Sequence, residues 1–377
     1  MKTAVKAIRT LEDAGYEAYM VGGAVRDFLL GKQPDDWDVA TNATPEKVKE
    51  LFNRTVDTGI EHGTVLVLLD GEGIEVTTFR TDGLYTDKRR PDSVEFVQSL
   101  EEDLKRRDFT INAMAMAEDL HIIDPFGGKE DLKKRLIKAV GNPDSRFQED
   151  ALRMLRAIRF SGQLDFEIDE ETLASIRKQA PLIQSIAVER IKTEIDKIFF
   201  NKNTSRSMAY LVRSGLNGYL PSGEMFNLDW SLYKEEGDHL KGWSFMLYQH
   251  EKEVEQIREY KFSNEEKRLM SKALEAARMA EWNAWTFYAF SARELAIASF
   301  LSKQSIDIPA VKSRLPIQSR KELAVSGNDL MQWSGDKQGP WLKKWVEEIE
   351  RQIVFGLLQN NKEQIKEWFL HEYHRQT

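Results

Sequence analysis

Two patterns of apolar residues divide the chain near residue 140. Before it, short apolar runs alternate with short helical segments; after it, the spacing is helical throughout. Val5, Ile8 and Leu11 predict a helix over 3–14, ended by Gly15. Residues 17–21 (EAYMV) read as a buried strand, and after two glycines AVRDFLL reads as one short helix closed by Gly31. Thr44 and Pro45 cap a helix running through Phe52. The runs 64–69 and 74–80 flank Asp70-Gly71-Glu72-Gly73, a hairpin signal. Residues 93–97 predict another strand and 109–116 a helix. DPFGG at 124–128 is a break with Asp124 as a turn residue, and 136–139 is a last strand.

From about 144 onward no strand pair is expected. Helical spacing covers 146–161, 170–179, 187–199 and 205–214, then 247–260, 264–279, 292–302, 341–357 and 361–374. Gly162, Pro181, Gly215 and the run 218–221 punctuate the first of these. Eight of the nine Trp lie beyond residue 220, at spacings that suit a helical core better than a base-stacking surface. The fold class this predicts is α+β, a head with a mixed sheet followed by an all-α remainder. No repeat and no low-complexity tract is apparent.

The length of 377 residues allows two or more domains with cores of their own. No apolar run approaches the ~20 residues that span a bilayer. The N-terminus reads as a surface helix, not a signal peptide. With no cysteine there is neither a disulfide frame nor a thiolate metal site, and a cytoplasmic protein is expected. Net charge is −8, which argues against a generic coat for nucleic acid. Local blocks differ: nine Lys/Arg against five Asp/Glu over 129–159, five against one over 303–321, and one against five over 222–238. Each basic block is either a solvated face or a phosphate-binding one.

Four stretches carry candidate chemistry. Gly22-Gly23 between a strand and a helix lets backbone N–H groups approach an anion, with Arg26 in the first turn. Asp36 and Asp38, two apart in an extended segment, share one face and suit a pair of Mg²⁺ ions about 3.5–4 Å apart. Lys105-Arg106-Arg107, followed by Asn112, suits a triphosphate and a ribose, or is a plain basic helix start. Residues 149–159 read as an amphipathic helix with an apolar stripe of Ala151, Leu155 and Ile158. Asp150, Arg153, Arg156 and Arg159 recur every third residue, on a salt-bridged surface or on a reading surface. An Asp accepts from the amino group of cytosine or adenine, and an Arg donates to the adjacent ring nitrogen. Uracil and guanine present a carbonyl and a ring N–H there. Each unmatched group costs about 1–3 kcal/mol, so one Asp–Arg pair accepts C and A and refuses G and U. Glu75 lies on a strand that could adjoin Asp38, as a third carboxylate or a proton acceptor. The six histidines are scattered, and His371 with His374 lacks the company of a metal site.

In this order, GGAVRD, DWDVAT, RRDFTINA and EDALR resemble the signature of class II nucleotidyltransferases of the polymerase β superfamily, and more narrowly the bacterial tRNA CCA-adding enzymes. The resemblance implies catalysis and Mg²⁺ binding at Asp36 and Asp38. It implies nucleotide contacts from Gly23, Arg26, Arg107, Asp150, Arg153, Arg156 and Arg159. The loop 81–91 resembles the flexible loop that complete enzymes need for the final adenosine, and it is of full length here. Residues 322–330 (ELAVSGNDL) resemble the family's tail. Implied boundaries are 1–143 for the catalytic head, 144–200 for a neck, 201–302 for a body and 303–377 for a tail. The implied partners are the tRNA 3′ end, through acceptor stem and elbow, with CTP and ATP as substrates and no membrane. Class II poly(A) polymerases share the head motifs, and enzymes adding only CC or only A are further alternatives. A non-catalytic RNA-binding protein would not need the paired acids. No histidine–aspartate hydrolase signature is present, and the oligomeric state stays open between monomer and homodimer.

Overall fold

The structure is a computed structural model that describes all residues except 60–62, 83–93, 235–236 and 377. Most of the loop singled out at 81–91 therefore lies outside the described residues. The chain forms two compact units, 1–239 with 259–261 and 240–258 with 262–377.

The first unit begins with α1 (Lys2–Asp13), which buries Ala4, Ala7, Ile8 and Leu11 along one stripe. Then follow β1 (Ala18–Val21), α2 (Gly23–Leu29), β2 (Asp38–Thr41), α3 (Pro45–Leu51), β3 (Thr55–Gly59), β4 (Thr64–Leu69) and β5 (Glu72–Thr78). The two-residue loop between β4 and β5 is Asp70-Gly71, both at positive φ, as a tight hairpin requires. β6 (Arg80–Asp82) and β7 (Val94–Phe96) pair as a separate ribbon, and α4 (Leu100–Lys105) follows. β8 (Ala115–Met116) and β9 (Ile122–Ile123) complete a seven-stranded sheet of order β3-β4-β5-β2-β1-β8-β9. Only β2 with β5 is parallel, so the sheet is mixed, as expected. The register matters for the site. Val21 pairs with Asp38, and Asp38 with Glu75. The turn that leaves β1 is thereby set beside two carboxylates.

Residues 109–116 are not a helix. They form a 3₁₀ turn at Thr110–Asn112 and then β8. The whole segment is buried, so it has no polar face for a helix to present, and β1 supplies ladder partners instead. After α5 (Gly128–Lys134), β10 (Leu136–Ile137) pairs in parallel with β11 (Glu167–Ile168), a strand in the region read as strand-free, rather than joining the main sheet.

The expected helix 146–161 is two helices, α6 (Pro143–Glu149) and α7 (Leu152–Leu164), separated by Asp150 in extended backbone (φ −137°, ψ 103°). Gly162 does not end α7. It lies inside it, where a Cβ would sit 2.4 Å from the Asn203 carbonyl oxygen and 2.3 Å from Ser207 Oγ. The glycine is there for close packing against α10 (Thr204–Arg213), which follows α8 (Glu170–Gln179) and α9 (Val188–Phe199).

The run 247–260, which lies mostly in the second unit, is not one helix. α11 (His239–Gln249) ends, and Val254–Tyr260 is a 3₁₀ segment. α12 (Asn264–Ala277) and α14 (Ala292–Leu301) match expectation, with short α13 (Ala284–Ala289) between them. α15 (Ile308–Ser313) and α16 (Gly327–Ser334) are likewise too short to show a period. The stretch 322–330 enters α16 through a capping box of Ser326 and Asp329. α17 (Pro340–Val354) and α18 (Lys362–Gln376) enclose a core of Trp345, Ile349, Ile353, Phe369 and Tyr373. None of the eight Trp beyond residue 220 is exposed: Trp230, Trp243 and Trp345 are buried and the other five half-buried, in keeping with their spacing.

Candidate active site

The site starts at the turn between β1 and α2. Gly22 has φ +76°, ψ −141°, backbone that side chains rarely adopt. A Cβ there would also lie 3.0 Å from Arg107 Nη1. Gly23 has no such constraint, since its Cβ would meet Arg26 Nη2 at an ordinary 3.5 Å. Arg26 is buried and fixed at both ends. It donates twice to Asp27, at 2.9 Å each, and once to Asn112 Oδ1 at 2.7 Å. Asn112 in turn donates to Asp108 Oδ1 at 3.1 Å. Its amide, expected near a ribose, thus joins Arg26 to Asp108.

Asp38 opens β2, with Glu75 beside it on β5. Burial pushes the Asp38 carboxyl up from its ordinary pKa, and the charges of Glu75 and Asp36 push the same way, opposed by Arg107. Asp36 precedes the strand and is exposed. It lines a neighbouring depression with Trp37 and Phe28 rather than the cavity that Asp38 faces.

That cavity has a volume of about 550 Å³. Its walls bring together Gly22, Gly23, Arg26, Asp38, Arg107, Asp150, Arg153, Arg156 and Arg159; of the sequence-predicted carboxylates, Asp36 and Glu75 are not among them. Arg106 and Arg107 are anchored by Asp103, which accepts from Arg106 at 2.8 and 2.9 Å and from Arg107 at 3.2 Å. Burial would raise the Asp103 carboxyl, but the guanidiniums of Arg107 and Arg106 outweigh it and hold the group below its ordinary value. Arg107 Nε is buried without a hydrogen-bond partner among the described residues.

The break at Asp150 places the reading pair differently from a continuous helix. Asp150 Oδ1 accepts the Leu152 N–H at the start of α7, and Oδ2 pairs with Arg190 of α9 at 3.0 Å. Arg153 donates to Glu149 Oε2 and to the Arg106 carbonyl, each at 2.8 Å. Arg153, Arg156 and Arg159 all follow on α7 and reach the same cavity, as the three-residue recurrence predicted. Arg156 binds Asp108 at 2.6–2.8 Å, and Arg159 binds Glu194 at 2.7 Å. Burial works against the Asp108 charge. The Arg156 charge, with hydrogen bonds from Asn112 and Arg156, overcomes it and holds the carboxyl at about 2.

Sequence reasoning assigned no part to Asp103, Asp108, Glu194 and Phe160, or to Arg80 and Arg190, which also line the cavity. Asp108 stood in plain view beside Arg107. Its signal was an acid inside a basic run. Arg190 is 40 residues from Asp150, and nothing local marks it.

A head of this topology with an arginine-lined cavity beside paired acids defines a nucleotidyltransferase. Residues 18–138 match the poly(A) polymerase head domain family. Residues 165–225 match the family described for the RNA- and SrmB-binding site of polymerase A, and 237–369 match tRNA nucleotidyltransferase domain 2. The CCA-adding enzyme of Geobacillus sp. is 42% identical across 98% of this chain and 96% of its own length. That of Anoxybacillus flavithermus is 44% identical across 97% and 96%. The crystal structure of the Bacillus stearothermophilus CCA-adding enzyme in complex with CTP superposes with a TM-score of 0.91 at 36% identity, covering 100% of this chain and 98% of the other. This chain belongs to the family of CCA-adding enzymes. Membership carries with it the use of a divalent metal. No helix among the described residues is long and apolar enough to cross a membrane.

Proposed function

We propose that this chain adds C, C and A in turn to the 3′ end of tRNA, from CTP and ATP, with release of pyrophosphate and without a nucleic-acid template. One observation carries the reading: a single cavity joins Asp38, a tight Gly22 turn, clustered arginines and the Asp150/Arg153 pair. The RNA 3′-hydroxyl attacks the nucleotide α-phosphate, and the bond to pyrophosphate breaks. Gly22 and Gly23 let the backbone approach the triphosphate, while Arg26 and Arg107 match its oxygens with planar donors. The unpartnered Arg107 Nε is a donor in search of such an oxygen. Arg156 and Arg159, tied to Asp108 and Glu194, complete the cationic wall around the nucleotide.

Asp36 and Asp38 are the residues that would hold the metal, for which we propose Mg²⁺. The donor set fits. Glu75 and Asp36 add to the burial that lifts the Asp38 carboxyl, a repulsion that a cation would relieve, and a carboxylate pair suits an ion that keeps water and takes phosphate oxygens. Such an ion supplies activation of the attacking hydroxyl and charge neutralisation of the departing pyrophosphate. Glu75, in register with Asp38, either shares it or takes the hydroxyl proton.

Base choice falls to Asp150 and Arg153. Arg190 behind Asp150 and Glu149 behind Arg153 fix where the acceptor and the donor stand. C and A match the pair; G and U leave both contacts unmade. In this reading the chain works in the cytoplasm, its head is 1–143, its neck 144–200 and its body 201–302, and the tail 303–377 holds the tRNA elbow.

The test is incubation with a tRNA transcript lacking CCA, with Mg²⁺ and CTP, ATP, both, or all four nucleotides, the products resolved to single residues. Two additions with CTP, a third only with ATP, and then a stop are expected. A long ladder with ATP alone would overturn the reading in favour of poly(A) synthesis.

A further inference from the structure

Three guanidiniums of the cavity meet at one aromatic ring. Phe160, on α7, is 5% exposed and lines the cavity. The guanidinium carbon of Arg159 lies 4.0 Å from the ring centroid, that of Arg26 at 5.3 Å and that of Arg156 at 5.5 Å. Phe109 braces the ring edge-on at 5.8 Å. The three arginines come from two elements, α2 and α7. Each has its own carboxylate, Asp27, Asp108 or Glu194, so ion pairing gives them no common anchor. Left to themselves, three like charges this close would spread apart. An aromatic face attracts each of them without neutralising any. The cations stay available to an anionic ligand.

We propose that Phe160 is a positioning residue, a shared π platform that sets Arg26, Arg156 and Arg159 for the nucleotide and ties the turn after β1 to the base-reading helix. The inference rests on the nucleotide-adding function proposed above. It explains why an aromatic group stands in a wall made mostly of charged and polar residues. If Phe160 served only as filler beside Phe109, its volume would matter and its π electrons would not.

Fluorination separates the two roles, because each added fluorine drains the ring face while barely changing its size. Mono-, di- and trifluorinated phenylalanine would be placed at position 160 of the full chain. KM and kcat for CTP and ATP would be measured on tRNA lacking CCA, alongside the thermal midpoint. KM should climb with each fluorine, to about tenfold at three, while kcat stays within about twofold and the midpoint stays put. Phe160→Leu should raise KM at least as much. A KM flat across the fluorinated series, with the unmodified chain adding CCA normally, overturns the platform alone. If the unmodified chain adds nothing, the functional reading falls, and the platform with it.

Discussion

Asp38 carries a carboxyl that its surroundings make reluctant to ionise. Burial, Glu75 and Asp36 all raise its pKa, so the charged form that a metal needs is present only above that raised value. Incorporation should therefore fall on acidification sooner than an ordinary Asp would dictate. Glu75→Gln removes one of the causes, and the acid limb of the pH–rate profile should move to lower pH. A limb that does not move would separate Glu75 from the metal site. Asp38→Ala should cost roughly three orders of magnitude in rate while the protein stays folded. Asp108 shows the opposite sign. Its carboxyl is depressed to about 2 in the fold, against an ordinary 3.8. The stability it contributes is complete above the unfolded value and is lost as pH falls from about 4 to about 2. By linkage that is about 2 kcal/mol. Asp108→Asn leaves Arg156 without its buried partner and should cost about 2–3 kcal/mol near neutral pH, with the deficit shrinking below pH 4. Denaturant unfolding across that range would show a constant deficit if Asp108 were a bystander.

At the scale of elements, the turn between β1 and α2 concentrates its demands in one residue. Gly22→Ala meets both a forbidden φ and Arg107, whereas Gly23→Ala meets an ordinary contact at a helix start. The first should raise the nucleotide KM roughly 5- to 30-fold, from the 1–2 kcal/mol cost of the backbone alone. The second should change it less than about threefold, since alanine favours the helix. Equal effects in steady-state kinetics would mean that the turn acts through its backbone N–H groups and not through its shape. The sequence announced this turn because Gly-Gly before Arg leaves few other conformations. It announced the α7 arginines because their recurrence shares a face. It concealed the break at Asp150, since neither glycine nor proline marks it and the residue's own carboxylate starts the next helix. Gly162 misled for the converse reason: a glycine wanted for tertiary contact looks the same in sequence as one wanted to stop a helix. The anchors Asp103, Asp108 and Glu194 carry the charge of surface residues, and only the fold shows them buried.

Across the whole molecule the net charge of −8 conceals how cations are spent. In the block 129–159 the arginines from Arg146 onward are committed to ion pairs around the cavity, while Lys129, Lys133, Lys134, Arg135 and Lys138 are exposed. In the block 303–321 Lys312 donates to the carbonyls of Phe287 and Phe290, and Arg320 binds Glu350. Lys303, Arg314 and Lys321 remain, exposed and unpaired among the described residues. These three are free to meet phosphate, and we propose that they do so on tRNA. An acidic protein can then bind RNA through a few uncommitted cations rather than through a basic surface. Replacing all three with alanine should flatten the plot of log affinity for tRNA against log salt by roughly two to three units, since each phosphate contact contributes about 0.7–0.9. The KM for CTP should not change, because the nucleotide cavity belongs wholly to the first unit. An unchanged salt slope would remove the tail from RNA binding. A slope that fell together with a raised KM for CTP would mean that tRNA contact and nucleotide capture are not separable in this protein.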